Sequence, residues 1–162
     1  MPGNEQVDQA DLTLRQWVEA LASAEPVPAG ASLAAASAAG AAALAAKIAR
    51  IAAAKRKGGR RDLPEHLHSL AHRLLQYADQ DVAVYRSWRK HRDDRTAAEM
   101  IRVPTEIESS CRSAAEACLG MEAGLGASVG EDVRTVVEIL LACARAAGGI
   151  AATNRRSVEA ST

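Results

Sequence analysis

Along most of the chain, apolar residues return with the period of a helix. Leu14, Trp17, Val18 and Leu21 share one side of a first segment that starts near Leu12. Leu67 and Leu74 share one phase of a later segment, and Ala71, Ala78 and Tyr85 share the other. Met100, Ile107, Ala114 and Met121 recur at seven, with Cys111, Cys118 and Leu125 beside them, before the glycines at 120, 124 and 126 loosen that segment's end. A last stripe places Val133, Leu140 and Ala147 in one phase and Val137, Ala144 and Ala151 in the other. No run of alternating β-branched residues interrupts the pattern. It predicts an all-α chain: an antiparallel bundle of about five helices joined by short connections. The domain is expected over residues 10–157, with flexible ends at 1–9 and 158–162.

The remaining helix is written differently. In "EPVPAGASLAAASAAGAAALAAK", twelve of the eighteen residues from 29 to 46 are alanine and none is charged. A membrane span needs about twenty predominantly apolar residues, and only Leu33 and Leu44 here have real bulk. A Gly/Ser linker is excluded because alanine is the best helix former. The segment therefore reads as a central helix, buried from Ser32 to about Ala54, whose small side chains let neighbours approach closely. A turn is expected at Gly58 and Gly59, and Asp62 with Pro64 marks the start of the next helix.

Charge and cysteine change the picture little. Twenty basic and twenty acidic residues cancel, which gives no general reason to expect nucleic acid as a partner. The distribution is uneven: seven Lys/Arg and no acid lie between Lys47 and Arg61. Cys111, Cys118 and Cys143 fit no metal spacing and are expected as free thiols. Their odd number and the absence of a signal-like amino terminus point to a reducing, cytoplasmic setting.

Two polar residues fall on apolar phases, Asp81 after Leu67 and Leu74, and Asn154 after Leu140 and Ala147. Asp81 marks either the end of the buried stripe or a carboxylate kept facing the interior, where desolvation raises its pKa toward values useful for proton transfer. Asp79 shares its phase with Glu65 and His72, a polar face. His68 and His72, four apart, read as a solvated face or as half of a metal site with no third ligand in view. The basic run "KIARIAAAKRKGGRR" is a solvated helix end or an anion-attracting patch.

Taken in order, these features resemble the cyclodeaminase/cyclohydrolase family, the helical domain of formimidoyltetrahydrofolate cyclodeaminases and methenyltetrahydrofolate cyclohydrolases. The resemblance covers about residues 12–155. "LRQWVEALASAEPVPAGASLAAASAAGAAALAAKIA" is similar to the family's opening, an amphipathic helix followed by Pro-x-Pro, a glycine-rich turn ending in serine and an alanine-rich helix. "YADQDVAVY" resembles its acidic motif, with Asp81 matching the functional aspartate and Tyr85 the aromatic. "VPTEIESSCRSAAEACLGM" resembles the helix that begins with Val-Pro, here Val103 and Pro104. "GEDVRTVVEILLACARAAGGIAATN" resembles the final helix, led by Asp132 and closed by Asn154. The chain departs from the family where three glycines normally precede the serine, since Ala29, Gly30, Ala31 and Ser32 stand here.

The resemblance implies an enzyme of one-carbon metabolism acting on a C–N bond of a substituted tetrahydrofolate, as cyclohydrolase or cyclodeaminase, with no metal and no other cofactor. It assigns proton transfer to Asp81 and ligand binding to Pro28, Ala29, Gly30, Ala31, Ser32, Tyr85, Asp132 and Asn154. The basic run from Lys47 to Arg61 would meet the folate's glutamate tail. A homodimer is expected, with neither nucleic acid nor membrane as partner. The alternative is a non-catalytic binding or structural relative that lost activity with the glycine-rich turn.

Overall fold

The structure is a computed structural model that describes residues 8–55, 61–121 and 125–160. Among these the chain forms a single 3-10 turn, Gln9–Asp11, and five α-helices: α1 (Leu14–Ala22), α2 (Gly30–Lys55), α3 (Leu63–His91), α4 (Asp94–Cys118) and α5 (Ala127–Glu159). There are no strands among the described residues. The expected turn at Gly58 and Gly59 lies outside them.

Helices α2 to α5 make an up-down-up-down bundle, and cross-helix contacts fix their relative levels. Ser32 meets Asp81 at one end of the α2–α3 pair, and Arg50 meets Glu65 toward the other. Arg102 reaches Gln80 between α3 and α4. Asn154 lies level with Met100, and Gly148 with Glu108, between α4 and α5. The pairs between α2 and α3 and between α4 and α5 run in opposite senses along the two helices, as antiparallel packing requires.

The expected phases face inward. Leu67, Leu74, Ile107 and Leu140 are fully buried, with Ala71, Ala78, Ala114, Ala144 and Ala147 beside them. Each large aliphatic stabilises the fold by about 1.5–3 kcal/mol through its burial. Twelve residues of α2 are buried, ten of the eleven apolar ones being alanine from Ala31 to Ala49 and the eleventh Ile48. With no bulk to hold helices apart, neighbours close on α2 from both sides. Cys111, Cys118 and Cys143 are buried free thiols. Burial pushes Cys111 up to about 12 and Cys118 up to about 11, so these sulfurs stay protonated and pack as small hydrophobes.

Helix α1 departs from the expected bundle. It is capped by Thr13 and Gln16 in a reciprocal capping box, yet none of its residues is buried, and Leu14 and Val18 are 76% and 52% exposed. Four long helices already close the core, and nine residues at its edge add a flank.

Helix α4 also differs from the expected boundaries. It begins at Asp94, with the Asp93 side chain accepting the Thr96 N–H, and Pro104 lies inside it. A proline lacks the N–H that would bond four residues back. The fold tolerates it because another group takes the carbonyl left over.

By length and apolarity, α2 and α5 both satisfy the criterion for a membrane span. Core helices of soluble bundles satisfy it too, and 61% of the apolar window of α2 is buried among the other helices, against 33% for α5.

Candidate functional site

The site forms where α2 begins. The first turn of any helix leaves N–H groups without helical partners, and together they make its positive end. The Ala29 carbonyl accepts the Leu33 N–H at 2.9 Å, closing that turn. Ser32 is fully buried. Its N–H donates to Asp81 Oδ2 at 3.1 Å, and its Oγ donates to the same oxygen at 2.6 Å. A carboxylate from α3 thus does for α2 what an N-cap side chain ordinarily does from within the helix.

Only one Asp81 oxygen is committed in this way. Oδ1 has no hydrogen-bond partner among the described residues, and it is not sealed from solvent, since Gln9 Oε1 is the buried side-chain polar atom left unpartnered there. Burial pushes the Asp81 carboxyl above its ordinary value, while the two hydrogen bonds from Ser32 pull it back down. Desolvation prevails, and the group holds a proton more readily than a solvated aspartate.

Three helices run on past the start of α2. Helix α3 continues ten residues beyond Asp81 to His91, and α5 continues nine beyond Ile150, the residue that meets Gly30. At about 1.5 Å per residue these extensions reach some 13–15 Å. Tyr85 and Trp88 follow Asp81 at i+4 and i+7, on its face of α3, and both are half-buried. Asp81, Tyr85 and Trp88 therefore share one half-buried face of α3 that continues past the start of α2.

Proline and asparagine meet between α4 and α5. Because Pro104 cannot donate to the Met100 carbonyl four residues back, that oxygen is free, and Asn154 Nδ2 donates to it at 2.7 Å. Thr105 Oγ1 donates to the neighbouring Ile101 carbonyl at 2.8 Å. One of the two Asn154 amide N–H donors is thereby used, and its oxygen remains as an acceptor. This coupling of Pro104 to Asn154 is missing from the sequence reading. A proline within a helix-period run was the available signal, since it obliges some donor to be found for residue i−4.

The residues singled out in the sequence divide into two groups. Ser32, Asp81, Tyr85 and Asn154 gather at one end of the bundle. Val27 and Pro28 are buried at the same end, joined by a cis peptide. Ala29 is exposed, whereas the Ala31 methyl is 3% exposed and packed between helices. None of residues 29–32 has positive φ, so the glycine-poor turn is ordinary helical backbone. Gly30 has a packing reason to be glycine: a methyl there would lie 3.1 Å from Ile150 Cδ1.

Asp132 does not join them in one chain. It is exposed near the start of α5, twenty-two residues and about 33 Å from Asn154. The basic run is displaced as well. Lys47 lies fifteen residues along α2 from Ser32, about 22 Å away, and Arg50 is paired with Glu65 at 3.1 Å. Arg56, Lys57 and Arg60 lie outside the described residues. Asp79 is used structurally, accepting the Ala10 N–H at 3.1 Å and so fastening the 3-10 turn to α3. His68 and His72 are exposed, their Nε2 atoms 3.3 Å apart. Among the described residues no three His, Cys, Asp or Glu side chains gather as a metal site.

Comparison with curated proteins finds no match. A family profile described as formiminotransferase-cyclodeaminase matches residues 13–161, from the cap of α1 to the end of α5 and across the whole Ser32–Asp81 site. The chain belongs to the formiminotransferase-cyclodeaminase family.

Proposed function

We propose that this chain is a folate enzyme, a methenyltetrahydrofolate cyclohydrolase or a formimidoyltetrahydrofolate cyclodeaminase, in which Asp81 moves the proton. The observation that carries this reading is the divided use of the Asp81 carboxyl. One oxygen is anchored on the start of α2, which fixes the side chain, and the other has no partner among the described residues and is not sealed from solvent. A positioned carboxyl whose affinity for protons is raised by burial suits general acid–base work.

In the hydrolytic direction, water adds to the carbon between two nitrogens of the folate. Asp81 Oδ1 accepts the proton that water loses, then gives it to the nitrogen that leaves as the C–N bond breaks. In the deaminating direction, a folate nitrogen attacks the formimidoyl carbon, and the same carboxyl protonates the departing ammonia. Tyr85 offers a face for the flat ring system, and the Asn154 oxygen offers an acceptor to its N–H groups. The chain works as a homodimer in the cytoplasm on this reading. The incompletely covered apolar residues Leu14 and Val18 of α1 are consistent with a second copy covering them.

The test is direct. Purified protein is mixed with methenyltetrahydrofolate and the loss of its near-ultraviolet absorbance is followed, while ammonia release is measured from formimidoyltetrahydrofolate. Turnover of either above buffer supports the proposal and says which reaction is catalysed. Tight binding of both with turnover of neither would favour the non-catalytic relative, and binding of neither would end the folate reading.

A further inference from the structure

His68 and His72 stand one turn apart on the outer face of α3, and both are exposed. Their Nε2 atoms lie 3.3 Å apart, while the centres of the two rings lie 4.8 Å apart. The nitrogens are nearer to each other than the rings are, so both imidazoles present Nε2 toward a common point outside the helix. The rings meet edge to face, at 73°, and do not stack.

That geometry suits a metal ion. Imidazole nitrogen binds zinc at about 2.0–2.1 Å, and a tetrahedral angle at the ion then sets two ligand nitrogens about 3.3–3.4 Å apart. At the same bond lengths a right angle, as in the square-planar sites of copper(II) and nickel(II), would set them about 2.8–3.0 Å apart. The observed separation matches the tetrahedral case. The spacing of four residues brings the two side chains over one another, and the backbone that carries them is anchored by the buried Leu67, Leu70, Ala71 and Leu74. The pair is therefore held in place before an ion arrives.

Among the described residues no third histidine, cysteine or carboxylate joins the two. The acids that share their side of α3 are engaged elsewhere, Glu65 with Arg50 at 3.1 Å and Asp79 with the Ala10 N–H.

We infer that His68 and His72 chelate one zinc ion on the surface of α3, with water in its remaining positions. Such an ion exchanges with solution, and it ties two turns of α3 together only in the folded chain, which it therefore stabilises. The inference is independent of the folate reading. His72 lies nine residues before Asp81, about 14 Å along α3 and on the opposite side of the helix.

The experiment titrates the folded full chain with zinc chloride, conditions under which Cys111, Cys118 and Cys143 are buried away from the ion. The ring-proton NMR signals of the four histidines, His66, His68, His72 and His91, are followed. Those of His68 and His72 should move together and saturate at one ion per chain, while those of His66 and His91 stay. By calorimetry, His68→Gln and His72→Gln should each weaken zinc binding at least about tenfold, since a lone imidazole lacks the neighbour that makes the second bond intramolecular. His66→Gln should bind as the parent does. All three substituted positions are exposed, so the changes leave the core intact. No movement of the histidine signals, equal movement of all four, or parent-like affinity in either His68→Gln or His72→Gln would overturn the assignment.

Discussion

The two ends of the bundle are built on different rules. Where α2 ends and α3 starts, the interior is aliphatic: Ile48, Leu67, Val136 and Leu140 are fully buried with the Cys118 thiol among them. Where α2 starts, the corresponding interior positions hold Ser32, Asp81 and Asn154, and the helix stops while its neighbours continue. A stripe of period seven that serves packing at Leu67 and Leu74 turns to a carboxylate one heptad later. Burying that carboxylate is costly unless its hydrogen bonds are met. The fold meets half of them, through Oδ2, and leaves Oδ1 without a partner among the described residues. Stability is concentrated at one end, which frees the other to carry polar groups.

The comparison can be broken first at the aliphatic end. Leu67→Ala should cost about 2–5 kcal/mol, the transfer and cavity penalty of a buried leucine, read as a lower midpoint in urea. Turnover per folded molecule should not change. A loss below about 1 kcal/mol would mean that the far end is not where the fold is held.

At the polar end the effects shrink and become pH-dependent. Ser32→Ala removes a short donor to a charged acceptor and should cost about 1.5–3 kcal/mol at neutral pH. Because that hydrogen bond lowers the carboxyl's pKa, losing it should move the acidic limb of any pH–rate profile upward. A profile that stays in place would dissociate Ser32 from the titrating group.

Ala31→Gly should cost about 1 kcal/mol, from chain entropy at a helical position and one lost buried methyl. Any gain in folate binding from this variant would contradict the finding that the Ala31 methyl points between helices.

Asp81→Asn should change stability least, by about 1 kcal/mol or less at neutral pH, since an amide oxygen can still accept from Ser32. The sign should depend on pH. A carboxyl whose folded pKa is raised adds stability that is fully present below its unfolded value of 3.8 and is lost as pH rises through the folded value. The variant should therefore gain on the parent as pH climbs from 3.8. Parallel melting curves across that range would show that burial does not perturb Asp81.

Most of the fold was legible because phase along a helix is a local property. The stripes through Leu67, Ile107 and Leu140 and the alanine helix follow from counting residues, whereas counting left Asp81 open between the end of a buried stripe and an inward carboxylate. What was not legible depends on the level of one helix against another. Nothing in the spacing says that residue 32 and residue 81 share an end, or that Asp132 and Lys47 lie away from it. Pro104 misled for a related reason. Locally it looks like a helix start, and only the Asn154 side chain arriving from α5 makes it tolerable inside α4. The exposed flank of α1 escaped because an amphipathic stripe shows a helix's apolar side without showing whether anything covers it.

The central claim is that the free oxygen of Asp81 moves a proton on a reduced folate. The most direct measurement is the initial rate of methenyltetrahydrofolate absorbance loss and of formimidoyltetrahydrofolate ammonia release, for parent and Asp81→Asn, with folding checked by circular dichroism. The account predicts turnover of one substrate by the parent and a loss of about a hundredfold or more in a folded variant that still binds folate. Parent-like turnover by Asp81→Asn would contradict it.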